Sequence, residues 1–216
     1  MTAQDDLKAA LRDQLGPEAR RHGYKGSPPS WRRASEAGDW AVVNVQSSSF
    51  SSAERLPCVV NLSFAPEPWL RWMAESLGAR MPKSVSESLG LYRERLHPEG
   101  TPAGTDGWWE VSDEASARVA VADMITQLDQ AGWLVLEDMF SREAMMSRLR
   151  GGDLGQMKRS NFGVFFARAE ALLLMDDGAS DALESQLAYS LSNVIPSQRE
   201  NAERFDAWVR AQAARV

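Results

Sequence analysis

The sequence predicts an α+β protein, an antiparallel sheet of about five strands with helices on one face and a helical C-terminal elaboration behind it. Three observations carry this. Between Trp31 and Phe64 the apolar residues recur every second position, before and after that stretch they recur every third or fourth, and strands and helices are grouped rather than alternating. In the strand region Ala41, Val43 and Val45 interleave with Val42, Asn44 and Gln46, and Cys58, Val60, Leu62 and Phe64 interleave with Val59, Asn61 and Ser63. One face is apolar and the other mostly polar, which fits an antiparallel sheet, because parallel strands are covered on both sides and read as continuous apolar runs.

Taken in order, Leu7, Leu11 and Leu15 stand at four-residue spacing among charges and predict an amphipathic first helix. Gly16-Pro17 interrupts it, so Pro17 to His22 is either a second short helix or a continuation past a kink. Gly26-Ser27-Pro28-Pro29 reads as a loop, followed by strands near 31–33, 40–46 and 58–64. Trp69, Leu70, Met73 and Leu77 predict a short helix that Gly78 can end. Residues 79–88 have little pattern. A fourth strand near 91–96 sets Arg93 and Arg95 on one side, and a loop rich in glycine and proline leads to a fifth at 108–111.

The remainder is helical in pattern. Ser112 or Asp113 can cap a helix from about 114 to 131 with the stripe Val119, Ala122, Ile125 and Leu128. Ser141 opens another that ends at Gly151-Gly152, and 165–175 with 183–191 predict a helical hairpin. Ser197 and Glu200 have capping-box spacing for a last helix docked by Phe205, Trp208 and Val209. The domain reading is an α+β domain over 1–137 and a helical subdomain over 138–216 packed on it.

Composition narrows function more by exclusion than by assignment. The net charge is −6, made of +3 over residues 1–33 and −9 over the rest, which disfavours nucleic acid, since that affinity comes from lysines and arginines neutralising phosphates. The lone Cys58 in an apolar run suits a reducing compartment, and the longest apolar run is far too short to cross a bilayer, so the expectation is a cytoplasmic protein with no membrane partner. Neither a phosphate-binding loop, a dinucleotide fingerprint nor a serine-hydrolase elbow occurs. His22, His97 and Cys58 lack zinc-ligand spacing; His97 with Glu99 and Asp106 is a weaker hard-metal or acid/base grouping that solvation alone explains. No catalytic residue, metal or cofactor is therefore assigned. The serines Ser47, Ser48, Ser49, Ser51 and Ser52 join two strands and are ordinary turn residues.

Trp108-Trp109 is more informative, because neighbouring strand residues point to opposite faces and one indole must leave the core. With Trp109 and Val111 inward, Trp108 joins Asn44, Gln46, Asn61, Ser63, Arg93 and Arg95 on the polar face. These seven are the candidate binding residues. Asparagine is disfavoured in strands while Trp and Arg are enriched at recognition surfaces, although solvent exposure explains the same pattern.

The run from Leu7 to His22 into Gly23-Tyr24-Lys25, then Trp31-Arg32, Val43-Asn44-Val45-Gln46-Ser47-Ser48-Ser49, Val59-Val60-Asn61-Leu62, Arg93-Glu94-Arg95-Leu96 and Gly107-Trp108-Trp109 resembles the bacterial family catalogued as domain of unknown function 4304. It covers about residues 5–112. The resemblance implies a domain without an established activity, so it carries over no catalytic residue, and by analogy with small bacterial accessory domains it implies a protein partner, as for an immunity protein. The leading expectation is a non-catalytic protein-binding module. The alternative is an enzyme or small anionic-ligand binder with a pocket between the sheet and the C-terminal helices, where Arg93 and Arg95 hold the anion. A structural or oligomerising role is a third reading.

Overall fold

The computed structural model describes residues 2–216, which divide into two compact units, 2–65 with Ser84–Phe140, and Pro66–Lys83 with Ser141–Val216. The class is α+β with an antiparallel sheet. No helix among the described residues is long and apolar enough to cross a membrane.

The first unit begins with α1 (Ala3–Ala10), whose capping box has Thr2 accepting from the Asp5 N–H at 3.2 Å while the Asp5 carboxylate accepts from the Thr2 N–H at 3.0 Å. A π-helical turn, Leu11–Leu15, carries the helix into α2 (Gly16–Arg21). Of the two readings at Gly16-Pro17, continuation holds. Pro17 lacks an N–H and its ring would strike the carbonyl four residues back, and the wider turn ahead of it absorbs that conflict. Leu7, Leu11 and Leu15 are all buried.

Where the sequence reads as a loop, Lys25–Ser27 forms β1 and pairs with β2 (Ser30–Ala34). Gly26 makes this tight hairpin possible. Its φ is +137°, and a Cβ there would lie 2.4 Å from the Ser30 carbonyl oxygen. β3 (Trp40–Ser47) and β4 (Leu56–Ala65) then pair in a register that sets Asn44 opposite Asn61, Val43 opposite Leu62 and Val45 opposite Val60. The far edge of β4 is shared, with β5 (Tyr92–Leu96) on Val60–Phe64 and β6 (Trp109–Val111) on Leu56–Cys58. All pairings are antiparallel, in the order β1-β2-β3-β4-β5 with β6 also on β4.

On the apolar face, α4 (Glu114–Gln127), a π-helical turn at Leu128–Gly132 and α5 (Trp133–Asp138) form one helical run, opened by a capping box between Asp113 and Ser116. Gly132 is where it crosses the sheet: a Cβ there would lie 3.4 Å from a Leu96 methyl and 3.5 Å from one of Leu62. The expected stripe is rotated. Ala117, Ala120, Val121, Met124 and Leu128 are buried, whereas Val119 is 72% exposed. α4 also packs against α1, and the small Ala117 and Ala120 in its buried stripe suit a close approach of two helices. The opposite, polar face is not open along its length. Segment 84–90 crosses it: Arg32 Nε donates to the Val85 carbonyl at 2.6 Å, Gly90 lies against the Ser63 side chain, and Val85 is fully buried.

The second unit holds α3 (Glu67–Ser76), ended by Gly78 at φ +61° as its sequence predicts. α6 (Arg142–Arg150) is capped by Ser141, and the two-residue strands β7 (Asp153–Leu154) and β8 (Met157–Lys158) pair after it. α7 (Gly163–Leu174) and α8 (Asp181–Asn193) form the predicted hairpin. α9 (Arg199–Ala213) starts later than expected, because a 3₁₀ turn at Pro196–Gln198 precedes it and the Ser197–Glu200 capping box does not form. Phe205 and Val209 dock it as predicted, against Trp72, Leu172, Met175, Leu183 and Leu187.

Candidate functional site

Four of the seven candidate residues meet in one line of polar contacts. Gln46, at the exposed end of β3, accepts a hydrogen bond from Asn61 Nδ2 at 2.8 Å. Asn61, only 2% exposed, in turn accepts from Arg95 Nε at 3.3 Å. The strand register brings this about, since Asn61 faces Arg95 across β4 and β5. A buried asparagine in mid-strand is tolerable only because both ends of its amide are used. Arg95 continues outward to Asp106 at 2.9 and 3.0 Å, and its guanidinium lies 5.4 Å from the Trp108 ring centroid. Trp108 Nε1 donates to the same Asp106 carboxylate at 3.2 Å. Asp106 thus clasps both Arg95 and Trp108, and hydrogen bonding from Arg95, with its charge and the indole N–H adding to it, holds this carboxyl below its ordinary range.

The other three stand apart. Asn44 is opposite Asn61 in the sheet but turns its amide toward the Pro29 carbonyl at 3.4 Å. Arg93 pairs with Glu87 at 2.8 Å and so ties down the covering segment. Ser63 is fully buried beneath Gly90, its hydroxyl without a protein partner, and is out of reach of anything in solution.

Around Trp108 lies an open cavity of about 660 Å³ walled by Gln46, the serines Ser47–Ser49, Phe50, Arg55, Pro57 and Glu110. Phe50, 91% exposed, and the ion pair of Arg55 with Glu110 were not among the candidates. The signal for Phe50 is its place as the one large apolar residue in an otherwise polar strand connection, where nothing local can bury it. Trp109 takes the inward position, donating from its indole to Asp123 at 2.7 Å. Proposed chemistry from the His97 loop is thin: His97 lies 3.8 Å from Asp106, but its Nδ1 is engaged with the Gly107 carbonyl at 3.0 Å, and Glu99 meets Asp123 through its backbone.

A second group of ionisable residues, Glu18, His22 and Asp129, brings three donor atoms within 4.8 Å of one another. Each has a structural partner. His22 stacks on Trp133 with centroids 4.5 Å apart, the Trp133 indole donates to Asp129 at 3.0 Å, and Glu18 receives Arg21. Cys58 is buried in the sheet, and desolvation pushes its thiol up to about 12, so it is neither a thiolate ligand nor a nucleophile at neutral pH.

No curated protein and no solved structure matches the chain. A family model does, over residues 15–138, more than half the chain, running from the helix before the sheet through the network strands to the end of α5. On that match the chain belongs to the family described as a domain of unknown function (DUF4304).

Proposed function

We propose that this chain is a non-catalytic, immunity-like protein-binding module of the cytoplasm, which captures a basic protein partner on the surface formed by Phe50 and Trp108. The observation that supports it is the pairing of a fully projecting Phe50 with an indole locked in place by Arg95 and Asp106, both on one open cavity. A solvent-exposed phenylalanine costs nothing to uncover on binding and contributes about 1.5–3 kcal/mol when covered. A prefixed indole adds area without the entropy of ordering it. The net charge of −6 steers a basic partner toward the chain. Ionisable groups at the site are already paired, Arg95 with Asp106 and Arg55 with Glu110, which suits a rigid recognition surface better than proton transfer. The same pairing weakens the anionic-ligand alternative, since Arg93 and Arg95 each hold a carboxylate of the chain itself.

The test is affinity capture from native lysate by tagged wild-type chain and by the Phe50→Ala, Trp108→Ala double variant, followed by titration of whatever protein is recovered. A basic protein that binds wild type and loses at least about 30-fold in affinity for the variant, as two central aromatic anchors predict, supports the reading. Equal binding by both, with the variant melting like wild type, overturns it.

A further inference from the structure

The second unit contains a cavity of about 410 Å³, within the usual range for small-molecule sites, and its walls combine aromatic rings with a single cation. Trp69, Trp72, Phe165 and Phe205 supply the rings, packed edge to face at 5.4 Å for Trp69 on Phe165 and 4.9 Å for Trp72 on Phe205. Arg168, on α7, supplies the charge. No aspartate or glutamate lines the cavity.

Arg71 and Arg159, half-buried in the same unit, each hold a carboxylate, whereas half-buried Arg168 has none within ion-pair distance among the described residues. Its contacts are neutral: Nε donates to Ser190 Oγ at 2.9 Å, and one terminal nitrogen to Asn201 Oδ1 at 3.4 Å. The other terminal nitrogen is buried with no protein acceptor, and the guanidinium lies 5.4 Å from the Phe205 centroid. Burial disfavours the charged form here, and these neutral contacts offset it without any carboxylate among the described residues. A guanidinium does not escape that cost by losing its proton, so an anion in the cavity would supply the partner that its buried terminal nitrogen lacks. The first turn of α7, which lines the same cavity and receives no side-chain cap from Phe162, adds a favourable dipole for that anion.

We propose that this cavity binds a small planar aromatic carboxylate, its ring against Trp69, Trp72 and Phe165 and its carboxylate on Arg168. A neutral aromatic leaves the guanidinium uncompensated, and a bare inorganic anion leaves the rings unused. The ligand class follows from needing both.

The full chain is titrated with indole-3-acetate and, in parallel, with its neutral amide, indole-3-acetamide, by calorimetry and by amide and indole N–H chemical shifts. The expected result is a Kd for the acid of about 1 mM or tighter, at least about tenfold weaker binding of the amide, and shifts centred on 163–168 and the indoles of Trp69 and Trp72. Arg168→Gln should lower the affinity for the acid by about tenfold or more and leave that for the amide unchanged. Should that variant fail to fold, Gln198→Glu, at an exposed position of the cavity wall, sets a competing carboxylate beside Arg168 and should weaken the acid in the same way. Equal binding of acid and amide, no binding of either up to about 5 mM, or shifts elsewhere in the chain would overturn the proposal.

Discussion

Replacing Gly90 with alanine probes the seal that segment 84–90 makes over the polar face of the sheet. Gly90 has an ordinary φ of −66°, so the substitution meets no conformational penalty and its cost is steric alone. The added Cβ would stand 2.0 Å from Ser63 Oγ and 3.0 Å from Ser63 Cβ, inside ordinary contact distance. Turning the serine hydroxyl away relieves only the first of these. The new methyl also lies 2.7 Å from the Tyr92 carbonyl oxygen, a backbone atom leading into β5, so the glycine itself must lift. Lifting it loosens fully buried Val85, the Arg32 bond to Val85 and the Arg93–Glu87 pair. Overpacking of this kind costs about 1–3 kcal/mol, and partial exposure of a valine adds up to about 1.5 kcal/mol. The expected destabilisation is therefore about 1–4.5 kcal/mol, read from the urea midpoint at unchanged m-value, with faster hydrogen exchange over 84–90. Adding Ser63→Ala should restore only part of it. A loss under about 0.5 kcal/mol, or unchanged exchange in that segment, would show that 84–90 is not packed on the sheet as described.

Two further outcomes follow from the titrating groups. Asp106 has its carboxyl lowered by Arg95, so the clasp is fully present above the unfolded carboxylate pKa of about 4 and is lost as the pH falls through the lower folded value; the Trp108 indole N–H resonance should hold steady from pH 7 to about 5 and move only below about 4, and Asp106→Asn should remove that dependence. A Trp108 signal that moves between pH 7 and about 5, or that keeps its dependence in Asp106→Asn, would overturn the clasp. Cys58, buried and with its thiol raised to about 12, should react with a disulfide reagent at pH 8 far more slowly than a free thiol and then fully in denaturant; rapid reaction in the native state would place it at the surface.

The strands were legible because the sheet is dry on one side. Alternation at 41–46 and 58–64 marks the same face on both strands, and the observed register aligns Asn44 with Asn61 as that pattern requires. Covering of the polar face was not legible, because 84–90 has no periodicity and acts through backbone carbonyls and a glycine. Val42 and Val59 on the outward face were the clue that something lies over it. The Arg95–Asp106 clasp spans a glycine- and proline-rich loop whose path composition does not set. At 197–200 a local capping motif lost to Pro196, which favours a tight 3₁₀ turn and delays the helix. On α4 the apolar residues extend round more than one face, so spacing alone does not choose between the stripe of Val119 and Ala122, which are exposed, and that of Ala117, Val121 and Met124, which is buried. Helical spacing also shows that α3 has an apolar side without saying which unit receives it.

Trp72 belongs to the core of the second unit, where its ring meets Phe205 and Trp208, residues more than 130 positions further along the chain. At a synthesis rate of roughly 5–20 residues per second, α3 leaves the ribosome on the order of ten seconds before its partners exist. During that interval the sheet strands on either side of it can already pair, while the apolar side of α3 has to wait uncovered. The nascent chain therefore carries a tethered amphipathic helix, held by a folding sheet at both ends and open to chaperones or to neighbouring nascent chains, until α9 emerges and closes over it.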